Sequence, residues 1–590
     1  MKQFFRFVFA SMVAIIISGI ILAVIVIAII ASSDDKTVDV KPGSVLRISF
    51  NSPVAERTPL NPLSGLAFLG IDGDRAIGLN DILANIKKAK TDNNIKGIFL
   101  DESAITPGEA TSEEIRNALI DFKKSHKFII AYSEVYEQGF YYLASVADKV
   151  YLNPKGIFIF HGFSQQVTFL KGALDKLGIE VQIIKVGTYK SAVEPLFLTK
   201  MSDANRLQVN SYLGSLYTHF LNEIGASRNI STDSLFEYAN DMKVRLPEDA
   251  LRLKLVDGLK YKDEILDELR HRTGLHNKDN IKTVDIGEYT NAIADRSNES
   301  DKEEGKNRIA LIYASGEING GDGDDNSIGS EKISKSLRYA RLNDDIKAVV
   351  LRVNSPGGSS LASDVIWREV MLTKKVKPII VSMGDYAASG GYYISCAADS
   401  IFAEPNTITG SIGIFAILPN MQKFFNDKLG VTFDGVKTGK YADLGDNSRP
   451  LTPEERAILQ NQVDRGYDDF TKAVATGRHK TQAYINSIGQ GRVWTGEQAI
   501  GLGLVDRLGN ISDAIKSAAK KAKIKDYKVV AYPEQKASLR NIGLNMSAEM
   551  KTNYMKSELG DNYKYYLQLK EVTQLMRTPQ ARLPYQIDIN

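Results

Sequence analysis

Two stretches of this chain repeat one another at a fixed distance, and that repeat constrains the fold more than any other feature. Ile95-Lys96-Gly97-Ile98-Phe99-Leu100 is echoed by Ile346-Lys347-Ala348-Val349-Val350-Leu351, and Tyr141-Tyr142-Leu143-Ala144-Ser145-Val146-Ala147-Asp148 by Tyr392-Tyr393-Ile394-Ser395-Cys396-Ala397-Ala398-Asp399; both pairs are offset by 251 residues. Lys171 to Ile179 resembles Gln422 to Val431, and Val186-Gly187-Thr188-Tyr189-Lys190 resembles Val436-Lys437-Thr438-Gly439-Lys440-Tyr441, at nearly the same offset. A 590-residue chain built in this way is a tandem duplication, not one large core.

Within each half, apolar runs such as Phe128 to Tyr132 and Ile379 to Ser382 alternate with helical stretches such as Ser112 to Lys124 and Ser360 to Lys374. That alternation predicts an α/β fold with largely parallel strands. The charged stretch Asp295 to Asn307 cannot bury enough apolar surface to order itself, so it reads as a linker between repeats spanning 44–294 and 308–545. The end of the chain, 546–590, reads as a polar, Tyr-rich helical tail with no assignable chemistry.

The N-terminus adds a second constraint. Phe7 to Ala31 contains no charged residue and is dense in isoleucine. A bilayer core of about 30 Å needs about 20 helical residues, whereas the apolar part of a cleaved signal peptide has only about 7 to 15. Residues 1–32 therefore read as a cytoplasmic N-terminus and an uncleaved transmembrane anchor. Lys2 and Arg6 precede the span and Asp34 and Asp35 follow it, so the positive-inside rule sends the rest of the chain outward.

Composition excludes several function classes. Seventy-four basic against seventy-one acidic residues leave +3, too little for the electrostatic footprint of a nucleic-acid binder. The single cysteine, Cys396, cannot close an internal disulfide or build a paired-cysteine zinc site, and is read as a small buried hydrophobe.

Two glycine-rich motifs carry the chemistry. Asn354-Ser355-Pro356-Gly357-Gly358-Ser359 follows an apolar strand and opens a helix, giving a turn whose backbone amides can bind an oxyanion. Met383-Gly384-Asp385-Tyr386-Ala387-Ala388-Ser389-Gly390-Gly391-Tyr392 again joins strand to helix, with a serine among small residues that leave room for an acyl group to approach. A serine needs a base. His479 is the one histidine of the second half and sits in a basic, exposed-looking stretch, so it is a poor candidate. Lys190 follows the apolar run Val181 to Ile184, and desolvation there would lower its pKa and leave an amine able to accept a proton. Lys440, its repeat counterpart, remains the alternative base.

Taken together, Tyr386 to Tyr392, Ser355-Pro356-Gly357-Gly358, Thr409-Gly410-Ser411-Ile412-Gly413 and Val186 to Pro195 resemble the signal peptide peptidase A (protease IV) family in its long duplicated form. The resemblance covers nearly the whole chain. It implies tandem crotonase-like, Clp-protease-like domains behind the anchor, and a Ser-Lys serine endopeptidase that clears cleaved signal peptides without metal or cofactor. It places the nucleophile at Ser389, the general base at Lys190, a lysine-orienting hydroxyl at Ser411 and oxyanion donors at Gly358 and Gly390. The partners it implies are signal peptide remnants and other unstructured apolar peptides, the lipid bilayer, and further copies in a ring-like homotetramer. The location implied is the inner (cytoplasmic) membrane, single-pass, with the catalytic part periplasmic.

The repeat offers its own check: the 251 offset sets Gln138 opposite Ser389 and Thr106-Pro107-Gly108-Glu109 nearly opposite Ser355 to Gly358. The first half thus lacks a nucleophile and reads as a degenerate copy kept for Lys190 and for scaffold. Two other readings stay open, an acyl-thioester binder of the crotonase type and a non-catalytic membrane scaffold, the latter if Ser389 and Lys190 lie far apart.

Overall fold

The computed structural model describes residues 4, 6–19, 38–59, 76–103, 107–276, 279–293, 307–324, 327–535, 552, 555–560, 563 and 579–583. Among the described residues each half builds its own largely parallel sheet. The first half orders Gly258–Leu259, Lys149–Phe158, Phe128–Tyr136, Ile95–Leu100, Ser44–Ile48 and Thr283–Asp285 across one six-stranded sheet, all parallel. The second half orders Val493–Thr495, Ile408–Gly410, Ile379–Ala388, Ile346–Ser355, Arg308–Ser315 and Lys528–Tyr532, with Ser400–Ala403 and Arg507–Leu508 alongside. Only the edge strand Val493–Thr495 runs antiparallel there. Helices cover both faces, which is why Ile346–Ser355 is buried along nearly its whole length instead of alternating.

The duplication extends to single bonds. The Tyr141 hydroxyl donates to the Leu255 carbonyl at 2.7 Å, and its counterpart Tyr392 donates to the Leu504 carbonyl at 2.8 Å. The lone cysteine packs as its composition suggested: Cys396 is fully buried and burial pushes its thiol up to about 12.

A third sheet joins the halves. Glu180–Lys185 of the first half runs antiparallel to Phe415–Asn420 of the second, from Lys185 opposite Phe415 to Glu180 opposite Asn420. A buried charge cluster locks the same junction. Arg352 donates to the Glu56 carboxylate at 2.8 Å and lies 2.6 Å from Glu114, while Thr111 donates its amide and hydroxyl to Asp385 at 2.9 and 2.8 Å. Removing one partner of such a pair leaves an uncompensated buried charge, at a cost of about 3–5 kcal/mol.

Three expectations meet limits or corrections. Residues 6–19 are helical with exposed side chains, but the rest of the anchor expected from Phe7 to Ala31 lies outside the described residues. Among the described residues no helix is long and apolar enough to cross a membrane. The expected linker also lies outside them except for Asn307. The tail is not helical throughout: Gln580–Arg582 is a strand inserted into the third sheet, because partners on both sides satisfy its backbone there.

Candidate active site

Ser389 sits at a hinge. The strand Ile379–Ala388 ends one residue before it and the helix Gly390–Ser395 begins one residue after it, leaving Ser389 at φ 55° and ψ −112°. A non-glycine residue is strained in that region and must be held by its surroundings. Here the Ser389 amide donates to the Gly410 carbonyl at 2.8 Å, and the preceding strand is clamped between Ile346–Ser355 and Ile408–Gly410. The small residues around the serine are explained by close packing: a Cβ on Gly391 would stand 2.7 Å from the Ser355 carbonyl oxygen.

Lys190 arrives from the other half. The strand Glu180–Lys185 delivers it to a turn that continues as the short 3-10 helix Ser191–Val193. Its side chain is fully buried, and its Nζ lies 2.9 Å from Ser389 Oγ and 3.1 Å from both the carbonyl and the hydroxyl oxygen of Ser411. Burial pushes the amine well below the ordinary lysine range, desolvation being the cause. A neutral amine has two N–H donors and one lone pair. The two Ser411 oxygens take the donors, and the lone pair is left for the Ser389 hydroxyl.

Residues the sequence did not single out hold this lysine in place. Gln208, on the helix Asp203–Arg228, donates to the Ser191 hydroxyl at 2.8 Å and to the Tyr189 carbonyl at 3.1 Å, and accepts from the Val493 amide at 3.2 Å. It therefore ties the lysine turn to both halves. Gly491, at φ 79°, passes so close that a Cβ would stand 2.6 Å from the Lys190 amide nitrogen, so only glycine fits. Gln208 carries no sequence signal, being one polar residue on a long helix; Gly491 reads only as a turn.

The oxyanion candidates lie at the same end of the sheet. Gly358 belongs to the short strand Gly357–Ser359, and Gly390 heads the helix after Ser389. The two loops touch, since a Cβ on Gly357 would stand 2.8 Å from the Gly390 nitrogen. Beside Ser389, Ala388, Ile408 and Val493 of the second half form one apolar cluster with Val209, Tyr212 and Leu216 of the first.

Other candidates are left out of this constellation. Lys440 is exposed, and its amine pairs with the Glu454 carboxylate, which raises its pKa. His479 is an exposed residue capping the C-terminal end of the helix Pro453–Arg478. In the first half Gln138 occupies the position that corresponds to Ser389, its side-chain oxygen accepting the His161 and Gly162 amides at 3.1 and 3.0 Å. Thr106 lies outside the described residues, and Gly108 packs against the Asp385 carboxylate. Gln138 is thus tied within its own half, while Gly108 packs onto the other.

Known proteins share this sequence pattern. The family profile "Peptidase family S49" matches residues 121–276 and again 371–525, and the profile "Clp protease" matches residues 303–409. A Protease 4 of Salmonella typhi is 38% identical over 500 residues, covering 82% of this chain and 79% of that protein. A Protease 4 of Haemophilus influenzae is 36% identical over 453 residues, covering 75% and 73%. The chloroplastic serine protease SPPA of Arabidopsis thaliana is 32% identical over 490 residues, covering 82% and 70%.

Proposed function

Because this chain belongs to peptidase family S49 and is a serine protease, we propose that it is a membrane-anchored endopeptidase whose Ser389–Lys190 dyad degrades cleaved signal peptides. The observation that carries the dyad is the buried 2.9 Å approach of Lys190 Nζ to Ser389 Oγ. The same approach favours the dyad over a non-catalytic scaffold, which would be expected to hold the two groups apart.

In this reading neutral Lys190 takes the Ser389 proton as Oγ attacks the peptide carbonyl carbon. The developing oxyanion accepts from the Gly358 and Gly390 amides, a contribution of about 10²–10³ in rate per donor. The lysine ammonium then protonates the departing amine, and water, activated by the same lysine, hydrolyses the acyl-serine. Ser411 keeps the amine aimed throughout. The apolar cluster next to Ser389 supports extended, apolar substrates, bound by backbone pairing to a strand edge.

The uncharged run Phe7 to Ala31 supports a single-pass anchor in the inner membrane with a periplasmic catalytic part. The repeat supports assembly. Glu180–Lys185 is covered by Phe415–Asn420 within the chain, whereas the repeat counterparts of these strands, 431–436 and 164–169, pair with no strand among the described residues. Head-to-tail copies that place 431–436 of one on 164–169 of the next would close a ring. The family resemblance supplies the number of copies, four.

A fluorophosphonate probe should label Ser389 and fail to label Ser389→Ala. The purified chain lacking residues 1–32 should cut a Leu/Ala-rich peptide and spare a Glu/Lys-rich one of equal length. Equal rates on the two peptides would remove the signal-peptide reading while leaving the dyad.

A further inference from the structure

We infer that Pro579–Leu583 is a resident pseudosubstrate: the chain's own C-terminal segment fills the groove beside Ser389 and competes there with incoming peptide. The inference rests on the reading of Ser389 as nucleophile.

The segment lies where an extended substrate has to lie. Gln580–Arg582 is inserted between Gly357–Ser359, which carries the oxyanion candidate Gly358, and Phe415–Asn420, and it runs antiparallel to both. The register pairs Gly358 with Ala581. On either side of that pair the Leu583 amide donates to the Pro356 carbonyl at 2.7 Å and the Ser360 amide donates to the Pro579 carbonyl at 3.3 Å. Hydrogen-bonded pairs alternate along an antiparallel ladder, so the Ala581–Gly358 pair is a bonded one and the Ala581 carbonyl faces the Gly358 amide. The same oxygen is 2.0 Å from where a Cβ on Gly357 would stand and 3.1 Å from where one on Gly390 would stand. The carbonyl of Ala581 thus sits against the backbone of both glycine loops, where the carbonyl of a bound peptide would be polarised.

Side chains complete the match. Ala581 is fully buried and Leu583 nearly so. Leu583 packs in the apolar cluster of Ala388, Ile408 and Val493 with Val209 and Tyr212, beside the nucleophile. Arg582, between them, reaches outward to Glu317 at 3.2 Å. A small residue at the oxyanion loops and an apolar one two positions on is the pattern this groove would select in a peptide, and the alternation of an extended strand presents it. No second strand fits in the gap between Gly357–Ser359 and Phe415 while the tail is there, so substrate must displace it.

Displacement predicts competitive kinetics, because an occupied groove lowers apparent affinity by the fraction of time it is open. The chain ending at residue 577, and the full chain carrying Leu583→Asp, should each show a KM for a short Leu/Ala-rich peptide lowered about tenfold, with kcat within about twofold. Leu583→Asp carries the test if the truncated chain does not fold. A dye-labelled synthetic peptide of residues 576–586 should bind the Ser389→Ala chain ending at residue 577 and fail to bind the intact Ser389→Ala chain. An unchanged KM in Leu583→Asp, or equal binding of the labelled peptide to both Ser389→Ala chains, would overturn the inference. The binding arm does not depend on catalysis: if no form hydrolyses peptide but the labelled peptide still discriminates, the tail reading stands and the dyad reading falls.

Discussion

Lys190 and Lys440 occupy equivalent places in the two repeats, yet one is fully buried against Ser389 and Ser411 while the other stands in solvent beside Glu454. Their local sequences are alike. What differs is the cover: Glu180–Lys185 lies under the second half's Phe415–Asn420, whereas the corresponding 431–436 leaves Phe433 59% and Val436 103% exposed. Lys190 therefore owes its burial to the neighbouring half. Burial pushes Lys190 down, and a surface carboxylate pushes Lys440 up.

Removing each lysine should separate the two positions most strongly. Lys190→Met and Ser389→Ala should each cut peptide hydrolysis about a thousandfold or more, and the double variant should lose no more than either single one, because members of a catalytic unit do not add. Residual turnover near normal in Lys190→Met would sink the lysine assignment. Ser411→Ala, which removes one of the two oxygens aiming the amine, should cost about tenfold in kcat with KM little changed, as expected for a group acting on orientation. Gln208→Ala should cost less in rate, within about tenfold, but lower the melting temperature, since it leaves buried groups on both halves without a partner.

Protonation sharpens the contrast further. The folded-state pKa of Lys190 is lowered below its unfolded value, so the unfolded chain binds a proton that the folded chain does not. The cost to stability is full below the folded pKa and disappears as pH rises past the unfolded value of about 10.4. Lys190→Met should therefore melt at higher temperature than the parent at neutral pH, by about 2–4 °C, with the gap closing toward strongly alkaline pH. The rate of the parent should rise as pH climbs through the lowered folded-state pKa of Lys190 and level off above it, before the stability gap closes. A flat rate profile would count against a lysine base. At the small end, Lys440→Met should leave kcat/KM within about twofold, and Phe433→Asp should leave the dyad working while shifting the assembled mass on size-exclusion chromatography.

Much of the site was readable from residue types. Ser389 stood out as a candidate because only small neighbours leave room around a hinge serine; Lys190 trails an apolar strand, but by itself it reads as one lysine among many, and the family resemblance is what marked it. Gln208 was not readable: its bonds outside its own helix run to a turn in its own half and to an edge strand of the other, and no periodicity on its helix marks them. Strand Gln580–Arg582 was missed for a related reason, since a short polar segment becomes a strand only when two edges far away in the chain accept its backbone.

By itself the sequence determined the duplication, the alternation of strand and helix, and which half could hold a nucleophile, because these are recorded in repeats and in the sizes of adjacent side chains. Which lysine is desolvated against Ser389, and which segment lies between Gly357–Ser359 and Phe415–Asn420, was settled by the folding of the two halves together. Both depend on desolvation and backbone pairing between segments hundreds of residues apart. Such contacts form only when the two halves close on one another, and no local pattern encodes them.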